Sequence, residues 1–304
     1  MPDLSVIILT HNEEKHIGRC LDSLRPMTDK VFIVDSFSTD RTVEIARAMG
    51  AIVVQNPWVT YATQFNYGIQ HTPHQTTWLM RMDADEYVLP ELAEEIRNRL
   101  PTLPDSTSGV YVKRRVMFMD RWIRHGGYYP IWLLRLWRRG QGICEQTWMD
   151  EHIKLSAGEP VNFDNDIVDH NLNDLTWWTQ KHNQYAIREV IDLLNIRHNF
   201  DQTVRVDPKL SGSQEQRKRY LKERYARLPL FTRPVMYFLY RYVVRLGFLD
   251  GRRGFVWHFL QGLWYRFLVD AKLMEVIRKT GHDREAIIEY FKTAHGKDLR
   301  AGVR

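Results

Sequence analysis

"WLMRMDADEYVLPEL", residues 78–92, is an apolar run that ends abruptly in a cluster of three acids, Asp83, Asp85 and Glu86. Carboxylates this close repel one another, so the cluster costs stability unless a cation or hydrogen-bond donors lie among them. The same residues are also compatible with a polar strand end, in which Asp85 or Glu86 caps the helix that follows Pro90. The segments on either side distinguish the two interpretations.

Strand-like and helix-like patterns alternate before the acid cluster. Short apolar runs at 4–10, 31–35 and 51–56 precede the run at 77–85, and helical patterns lie between them at 12–27, 36–50 and 61–72. This alternation predicts an α/β fold with a doubly wound, mostly parallel sheet. Ligands of such sheets bind beyond the carboxyl ends of the strands, where Thr10, Asp35 and Asp83 fall. The acids are therefore predicted to lie at a ligand site.

Two local signals mark the ends of the first helices. Ile17, Cys20, Leu21 and Leu24 recur at helical spacing, and Asn12 is the expected N-cap before them. Gly50 is the expected C-cap of the second helix.

The rest of the chain divides into regions of different composition. Residues 90–104 predict a helix that ends at prolines, residues 108–170 predict strands and loops, and helical patterns begin at 174. We expect these regions to form three parts of the protein, residues 1–100, 101–200 and 201–304. Residues 201–304 form a basic, aromatic, helical extension.

Composition limits the cellular setting. Net charge is +6, and the excess lies in residues 205–304, where Arg and Lys alternate with aromatic side chains. That pattern suits an anionic surface, either a membrane or a nucleic acid. Cys20 and Cys144 form no recognisable metal or redox motif and predict a reducing compartment without a disulfide. The N-terminus carries no secretory signal pattern, and no run of about 18 apolar residues predicts a spanning helix.

Two common nucleotide motifs are absent from the sequence. The first turn reads THNEEKHIG, so it lacks the G-x-G-x-x-G of dinucleotide-binding enzymes, and no P-loop occurs. The sequence therefore argues against a dehydrogenase and a P-loop ATPase.

Four segments in order carry a family resemblance: SVIILTHNEEKHIGRCLDSL, VFIVDSFSTDRTVEIARAMGA, QFNYGIQHT and WLMRMDADEYVLPEL. They resemble the nucleotide-sugar half of family 2 glycosyltransferases, which have the GT-A fold. The most similar branch includes the lipopolysaccharide-core β-glucosyltransferases and related enzymes of bacterial surface polysaccharides. The resemblance implies an inverting, metal-dependent transfer, with Mn²⁺ or Mg²⁺, from a nucleotide sugar (a UDP-sugar) to a bacterial surface-glycan or lipid-linked acceptor.

The resemblance implies that residues 1–100 form a nucleotide-sugar-binding half and residues 101–200 an acceptor-binding and catalytic half. It also implies roles for individual residues. Residues expected to contact the nucleotide sugar are Thr10, Asn12, Glu13, Asp35, Gln64, Asn66, Arg81, Asp83 and Arg135. Asp83 and Asp85 match the two acids of the family's D-x-D motif, with Asp85 the more direct metal ligand. Phe65 stands where the family has a basic residue, and Arg81 is the candidate to replace it.

The acceptor side of the site needs a general base, because the attacking hydroxyl must lose its proton. Glu151 matches the family's Glu, Asp150 is the alternative, and an exposed acidic turn is the non-functional interpretation. His170 is expected as a third metal ligand, although a lone histidine after a strand can equally be structural. His152 is a weaker candidate for a diphosphate contact.

The C-terminal helices carry Trp257, Leu260, Trp264 and Phe267 at helical spacing among arginines. This stripe predicts peripheral contact with the cytoplasmic face of the inner membrane, or alternatively an oligomer contact. No nucleic-acid-binding module is recognisable, so we expect no nucleic-acid partner. Two other functions remain open at this point: a sugar nucleotidyltransferase, and a catalytically inactive, membrane-attached scaffold for glycan assembly.

Overall fold

The structure, a computed structural model, describes residues 1–145, 152–200, 220–221 and 224–300. Contacts within the chain divide it into two compact units. The first unit is Met1–Asn173 with Leu249–Gly254, and the second is Asp174–Phe248 with Phe255–Arg304. The three-part division of the sequence into 1–100, 101–200 and 201–304 stays a prediction.

The first unit contains a large mixed sheet. Its strands are β1 (Leu4–Thr10), β2 (Val31–Asp35), β3 (Ile52–Gln55), β4 (Trp78–Asp83), β5 (Glu86–Val88), β6 (Thr107–Phe118), β7 (Arg121–Ile123), β8 (Ile131–Arg138) and β11 (Glu159–Asp169). A second, two-stranded sheet pairs β9 (Gly142–Cys144) with β10 (Ile153–Leu155) in antiparallel orientation.

The order of strands in the large sheet is β3-β2-β1-β4-β8-β6-β11-β5, with β7 on β6. The first four strands are mutually parallel, as the alternation of strand and helix patterns predicts. Beyond β4 the sheet becomes mixed, because β8 runs antiparallel to both β4 and β6. The sheet therefore has a parallel half, β3-β2-β1-β4, which the mixed half extends beyond β4.

Helices cover both faces of the parallel half. Helices α1 (Ile17–Leu24), α2 (Thr42–Ala48), α3 (Tyr61–His71) and α4 (Pro90–Arg99) connect or follow its strands. Val6 and Ile8 of β1 enter a core with α1 and α4, whereas Ile7 enters a second core with α3 and β8–β10. Because both faces are buried, the strands are nearly continuous apolar runs. The doubly wound prediction is confirmed.

Local cap predictions have mixed outcomes. Gly50 follows α2 with a positive φ of 91°, as expected of a C-cap glycine. The prediction that Asn12 caps α1 is wrong: α1 begins at Ile17, and Asn12 lies in a left-handed conformation with φ 58°. The prediction that Asp85 or Glu86 caps α4 is also wrong, because Leu89 occupies the cap position without a side-chain bond.

The second unit is helical in the part that the structure describes. Its main elements are α5 (Leu175–His198), α6 (Thr232–Leu239), a π-helical segment Tyr240–Val244, a second π-helical segment His258–Trp264, α8 (Tyr265–Thr280) and α9 (Arg284–His295). Helix α7 (Gly251–Trp257) begins in residues assigned to the first unit and ends in the second. Asp174 caps α5 by accepting the Trp177 N–H at 2.8 Å, and α5 packs against α8.

Helices long and apolar enough to cross a membrane are absent among the described residues. Both cysteines, Cys20 and Cys144, are buried and carry free thiols.

Candidate active site

The carboxyl ends of three neighbouring strands bring the predicted donor residues together. In the sheet register, Thr10 of β1 lies opposite Asp35 of β2, and Leu9 lies opposite Asp83 of β4. Asp35 and Asp83 therefore flank the end of β1 on its two sides. The turn Ala84–Asp85 follows directly, so the acid cluster lies at the sheet's ligand edge as predicted.

Asp35 is completely buried and accepts four hydrogen bonds. The Thr10 hydroxyl donates to Oδ1 at 2.8 Å and the Ser38 hydroxyl to the same oxygen. The Ser38 N–H donates to Oδ2 at 2.9 Å and the Gln55 amide at 3.1 Å. A carboxylate has about four acceptor positions, so protein donors occupy all of those of Asp35. A base or ribose contact at Asp35 requires one of these donors to leave.

The first loop is fixed by hydrogen bonding to the β2–α2 loop and by one histidine. The Asn12 side-chain oxygen accepts the Thr39 N–H at 2.8 Å. The Glu13 carboxylate lies 2.6 Å from Nδ1 of His16, a buried side chain whose Nε2 accepts the Leu172 N–H at 2.9 Å. His16 thus donates from Nδ1 to Glu13 and links the first loop to the segment after β11.

The two amides of α3 face protein partners. Gln64 is buried, donates to the Ser36 hydroxyl at 3.0 Å and accepts from the Asn56 amide at 2.7 Å. Asn66 makes two bonds to the backbone of Cys144, both at 2.9 Å. Asn66 therefore fixes β9, and the predicted contacts of both amides with the nucleotide sugar stay predictions.

Asp83 lies in a dense cluster of charged and polar side chains. The Tyr61 hydroxyl donates to its Oδ1 at 2.7 Å, and Arg135 donates to its Oδ2 at 3.4 Å. Arg135 also donates to Oε1 of Glu86 at 2.5 Å, and the Asp83 N–H donates to Oε2 of Glu86 at 3.0 Å. Nε of Arg135 is buried and has no hydrogen-bond partner in the described part of the chain.

Two acids of this cluster have shifted pKa values in opposite directions. Burial alone would raise the pKa of Asp83, but the charges of Arg81 and Arg135 and the Tyr61 bond outweigh it and hold the pKa below its usual range. Burial raises the pKa of Glu86 above its usual range, and Arg135 opposes that shift only in part. Asp83 therefore keeps its negative charge at the edge of the sheet.

Arg81 lies next to Phe65, the position at which the family has a basic residue. Its guanidinium carbon lies 5.6 Å from the centre of the Phe65 ring and 4.3 Å from that of Tyr61. Its Nε lies 3.7 Å from Oδ1 of Asp83. Arg81 therefore supplies positive charge next to Phe65, and its replacement of the family's basic residue stays a prediction.

Asp85 and His170 are adjacent. The His170 N–H donates to the Asp85 carbonyl at 3.1 Å, and the Asn171 amide donates to Oδ2 of Asp85 at 3.0 Å. Arg19 donates to both backbone carbonyls, at 3.2 Å for Asp85 and 2.5 Å for His170. The acid turn and the segment after β11 are thus held together by Arg19.

The ring of His170 is engaged at both nitrogens. Nδ1 lies 3.2 Å from an Arg19 nitrogen, so it accepts, and Nε2 lies 3.1 Å from Oδ1 of Asp120, to which it donates. Burial and the Arg19 charge lower the pKa of His170, with Asp120 opposing. The ring is therefore neutral near pH 7, but ligating a metal would require it to give up one of these bonds. Its predicted role as a metal ligand stays a prediction.

The donor set fits a divalent metal that arrives with a diphosphate. In the described residues, no three His, Cys, Asp or Glu side chains form a group that could hold a metal by themselves. Mg²⁺ and Mn²⁺ in nucleotide-dependent enzymes commonly use one or two carboxylates, substrate phosphates and water. Oδ1 of Asp85 has no hydrogen bond within the described ranges, so it is available as such a carboxylate.

The two base candidates, Glu151 and Asp150, lie outside the described residues. The described chain stops at Glu145 and resumes at His152, and the Glu145 N–H donates to the His152 carbonyl at 3.0 Å. The Glu145 carboxylate lies 3.1 Å from Nδ1 of His152 and also pairs with Lys154. His152 is thus bound to a protein acid, which leaves its predicted diphosphate contact untested.

Sequence reasoning missed several residues that shape this edge. Glu86, Tyr61, Arg19 and His16 all contact predicted site residues, yet no role at the site was predicted for Arg19, Tyr61 or His16. Arg114 lies 3.4 Å from Asp169 and contributes positive charge near Asp83 and Glu86. For Arg19 and Arg114 the only sequence signal is their charge, because their partners lie far away in the chain.

Known proteins resemble this chain over different lengths. The family model described as "Glycosyl transferase family 2" matches residues 5–156. An uncharacterized glycosyltransferase of Rickettsia typhi is 29% identical over 92% of this chain and 89% of its own length. The lipopolysaccharide core biosynthesis glycosyltransferase LpsC of Rhizobium meliloti is 26% identical over 90% and 92%.

Two solved structures of enzymes with bound nucleotides align with this chain. The mannosyltransferase PcManGT of Pyrobaculum calidifontis, in complex with GDP-Man and Mn²⁺, aligns over 90% of this chain and 87% of its own, with 14% identity and a TM-score of 0.49. Glucosyl-3-phosphoglycerate synthase of Mycobacterium tuberculosis, with Mn²⁺ and UDP, aligns over 37% and 43%, with 25% identity and a TM-score of 0.31.

The family match covers residues 5–156, half of the 304 residues, and it includes the whole edge described above apart from the 169–173 segment. The predicted family and its GT-A fold are confirmed, with lipopolysaccharide-core enzymes among the relatives. The chain is a member of glycosyl transferase family 2.

Proposed function

We propose that this glycosyltransferase is an inverting, metal-dependent enzyme that transfers a sugar from a UDP-sugar to a bacterial surface-glycan or lipid-linked acceptor. The observation that carries the proposal is the edge where Asp35, Asp83 and Asp85 meet Arg81 and Arg135. A nucleoside diphosphate offers groups that suit these side chains: a ribose and base for acids, and phosphates for arginines. The similarity to LpsC over 90% of the chain supports a surface-glycan acceptor.

The nucleoside is proposed to bind at the ends of β1 and β2. Asp35 would accept from the base or ribose when Ser38 or Gln55 swings away, since both donate to it here. Thr10, Asn12 and Glu13 form the adjoining loop, and Gln64 and Asn66 support it from α3. Tyr61 fixes the orientation of Asp83, which suits a contact with ribose hydroxyls.

The diphosphate is proposed to bind between the acid turn and the arginines. Asp85, with Asp83 and His170 nearby, would hold Mn²⁺ or Mg²⁺. When bound, the metal offsets negative charge on the departing diphosphate. Arg135 presents its unpaired Nε, and Arg81 adds a second positive charge. Glu86 is proposed to orient Arg135, because the two form a buried ion pair.

The transfer itself is proposed as a single displacement. The acceptor oxygen forms a bond to the anomeric carbon while the bond from that carbon to the diphosphate oxygen breaks on the opposite side. Glu151, or Asp150 in its place, takes the acceptor's hydroxyl proton. The described anchors of this segment are Cys144, held by Asn66, and the Glu145–His152 backbone bond.

The cellular setting is part of the proposal. Buried free thiols are compatible with a reducing compartment. We place the enzyme in the cytoplasm at the inner face of the membrane, with peripheral contact through the second unit and no nucleic-acid partner. A homo-oligomer is the alternative use of the same helices.

Calorimetric titration with a panel of nucleotide sugars, with and without Mn²⁺, tests the proposal. We expect one UDP-sugar to bind with Mn²⁺ and to lose most of its affinity without it. Metal-independent binding, or no binding by any nucleotide, would contradict the mechanism. Release of pyrophosphate from a nucleoside triphosphate would instead identify a sugar nucleotidyltransferase. Transfer activity that survives Glu151→Gln and Asp150→Asn would remove both residues as the base.

A further inference from the structure

The helix Thr232–Leu239 continues into the π-helical segment Tyr240–Val244. Together they expose apolar side chains and bury a charged one, Arg233. Six apolar side chains on one side of this helix are 43–67% exposed: Val235, Met236, Leu239, Tyr240, Val243 and Val244. They recur as pairs four residues apart, so they share one side of the helix. We call these six side chains the apolar face.

The opposite side of the same helix carries charge inward. Arg233, Tyr237 and Arg241 are four residues apart in sequence, and Arg233 is 1% exposed. Arg233 donates to Oδ1 of buried Asp270, and Arg241 donates to the Tyr237 hydroxyl at 2.8 Å. A helix of a water-soluble protein normally buries its apolar side and exposes its charges. This helix does the reverse.

Contiguous exposed apolar surface of this kind marks an interaction site. The surrounding charge identifies the partner. Residues 226–248 contain four arginines and no acid, and one of the four, Arg233, is buried against Asp270. Arg227 and Arg245 flank the face along the chain, and both are exposed. Cations next to an apolar face suit a surface that combines acyl chains with phosphate groups.

We propose that the apolar face docks in the plane of an anionic phospholipid bilayer, with Arg227 and Arg245 at the level of the phosphates. The apolar side chains enter the boundary between headgroups and acyl chains, while the buried Arg233–Asp270 pair stays within the protein. The proposal deepens the membrane contact of the proposed function, but it rests on the second unit alone and requires no particular donor.

The stripe singled out in the sequence occupies a different position. Trp257 and Trp264 lie 6.4 and 6.0 Å from the Trp178 ring of α5, so both pack within the second unit. Phe267 of the same stripe is exposed and lies 4.9 Å from the Phe231 ring. The helical spacing of tryptophans therefore reports internal packing, and the lipid-facing residues are those of the apolar face.

Vesicle flotation of the full chain tests the proposal. We expect the protein to float with vesicles containing phosphatidylglycerol and phosphatidylcholine, and to float at least about tenfold less with phosphatidylcholine alone. The double variant Leu239→Glu/Val243→Glu should lose binding to the anionic vesicles by about tenfold or more, because it places two negative charges in the face. Ile52→Glu is the matched control: Ile52 is 42% exposed on β3 of the first unit, and binding should be unchanged.

Three results would overturn the proposal. Equal flotation of the double variant and the wild type would exclude the apolar face, and equal flotation with neutral vesicles would exclude the role of anionic lipid. A wild-type dimer in light scattering that the double variant dissociates, without vesicle binding, would assign the face to a second copy. Unfolding curves verify that the double variant folds. Donor binding by calorimetry, read separately, distinguishes a failed membrane proposal from a failed transferase proposal.

Discussion

Arg135 and Glu86 form a buried ion pair, with 2.5 Å between Nη2 and Oε1, next to the acid that ends β4. The two side chains are only 4% and 2% exposed. Glu86 holds Arg135, which also lies against Asp83. The positive charge next to Asp83 therefore depends on Glu86, a buried residue.

Removing only the acid of this pair should destabilise the fold. Glu86→Leu leaves a buried guanidinium that cannot lose its proton, and we expect a loss of about 3 kcal/mol in the free energy of unfolding. Glu86→Leu/Arg135→Met removes both charges and should recover part of that loss. Denaturant unfolding of the wild type, both single variants and the double variant measures the coupling. The exposed Arg41–Glu44 pair is the control, and Glu44→Ala should leave the free energy of unfolding nearly unchanged, because exposed ion pairs contribute little. If the stability losses of Glu86→Leu and Arg135→Met simply add in the double variant, the two residues are not coupled.

Tyr61→Phe should weaken donor binding without unfolding the protein. The variant loses the 2.7 Å hydrogen bond that orients Asp83. We expect the KM for the UDP-sugar to rise about three- to tenfold, as one lost hydrogen bond predicts, with a smaller change in kcat. Tyr67→Phe on the same helix is the control and should leave both constants unchanged. An unchanged KM in Tyr61→Phe would mean that Asp83 does not need this bond.

His16→Ala should affect both stability and metal use. His16 joins Glu13 of the first loop to the backbone of Leu172, and Asn171 of that segment holds Asp85. We expect a loss of about 1–3 kcal/mol in the free energy of unfolding. The Mn²⁺ concentration for half-maximal activity should also rise several-fold, because the support of Asp85 loosens. His71→Ala, an exposed histidine on α3, is the control. A loss of stability with unchanged metal dependence would leave His16 with a purely structural role.

His182 should make the stability of the second unit depend on pH. Burial lowers the pKa of His182 to about 4, against the opposing hydrogen bonds with Trp178 and Gln261. The unfolded chain therefore binds more protons than the folded one between about pH 4 and pH 6.5. Stability from neutral His182 is full well above pH 6.5 and is lost as the pH falls, by about 3 kcal/mol at pH 4.

Unfolding curves of the wild type and His182→Gln at several pH values isolate this contribution. The difference between the two proteins should change across that window and be constant above pH 7. A difference that does not depend on pH would contradict the shift. His71→Gln serves as the matched substitution of an exposed histidine and should preserve the wild-type profile.

The parallel half of the fold was predictable because its signals are local. Each strand of that half is a short apolar run. The acids at the ends of β2 and β4 could be assigned to a ligand site, because ligands of such sheets bind at the carboxyl ends of the strands. The same reasoning placed Asp35, Asp83 and Asp85 at one edge before any contact was known. Gly50 was likewise predictable, because a glycine after a helix is a local signal.

The network around these acids was not predictable, because it depends on residues far apart in sequence. Glu86 was considered as a helix cap, whereas it lies in β5 and pairs with Arg135, 49 residues away. Arg19 reaches His170 across 151 residues. Asn66 matched a family motif, yet it bonds the Cys144 backbone, which a sequence pattern cannot reveal. The helix Thr232–Leu239 is a further example, because apolar residues have the same spacing on a helix whether their face is buried or exposed.

The central claim is that Asp85 holds the divalent metal, and Asp85→Asn tests it most directly. The substitution keeps the size of the side chain, and an amide oxygen can still accept from Asn171, so the unfolding midpoint should change little. Asp105→Asn, at an almost fully exposed acid, is the control. Calorimetric titration of Mn²⁺ into the protein with the UDP-sugar is the measurement. The account predicts that Asp85→Asn loses Mn²⁺-dependent donor binding by at least about a hundredfold while Asp105→Asn behaves as the wild type. Wild-type Mn²⁺ affinity in a folded Asp85→Asn variant would contradict it.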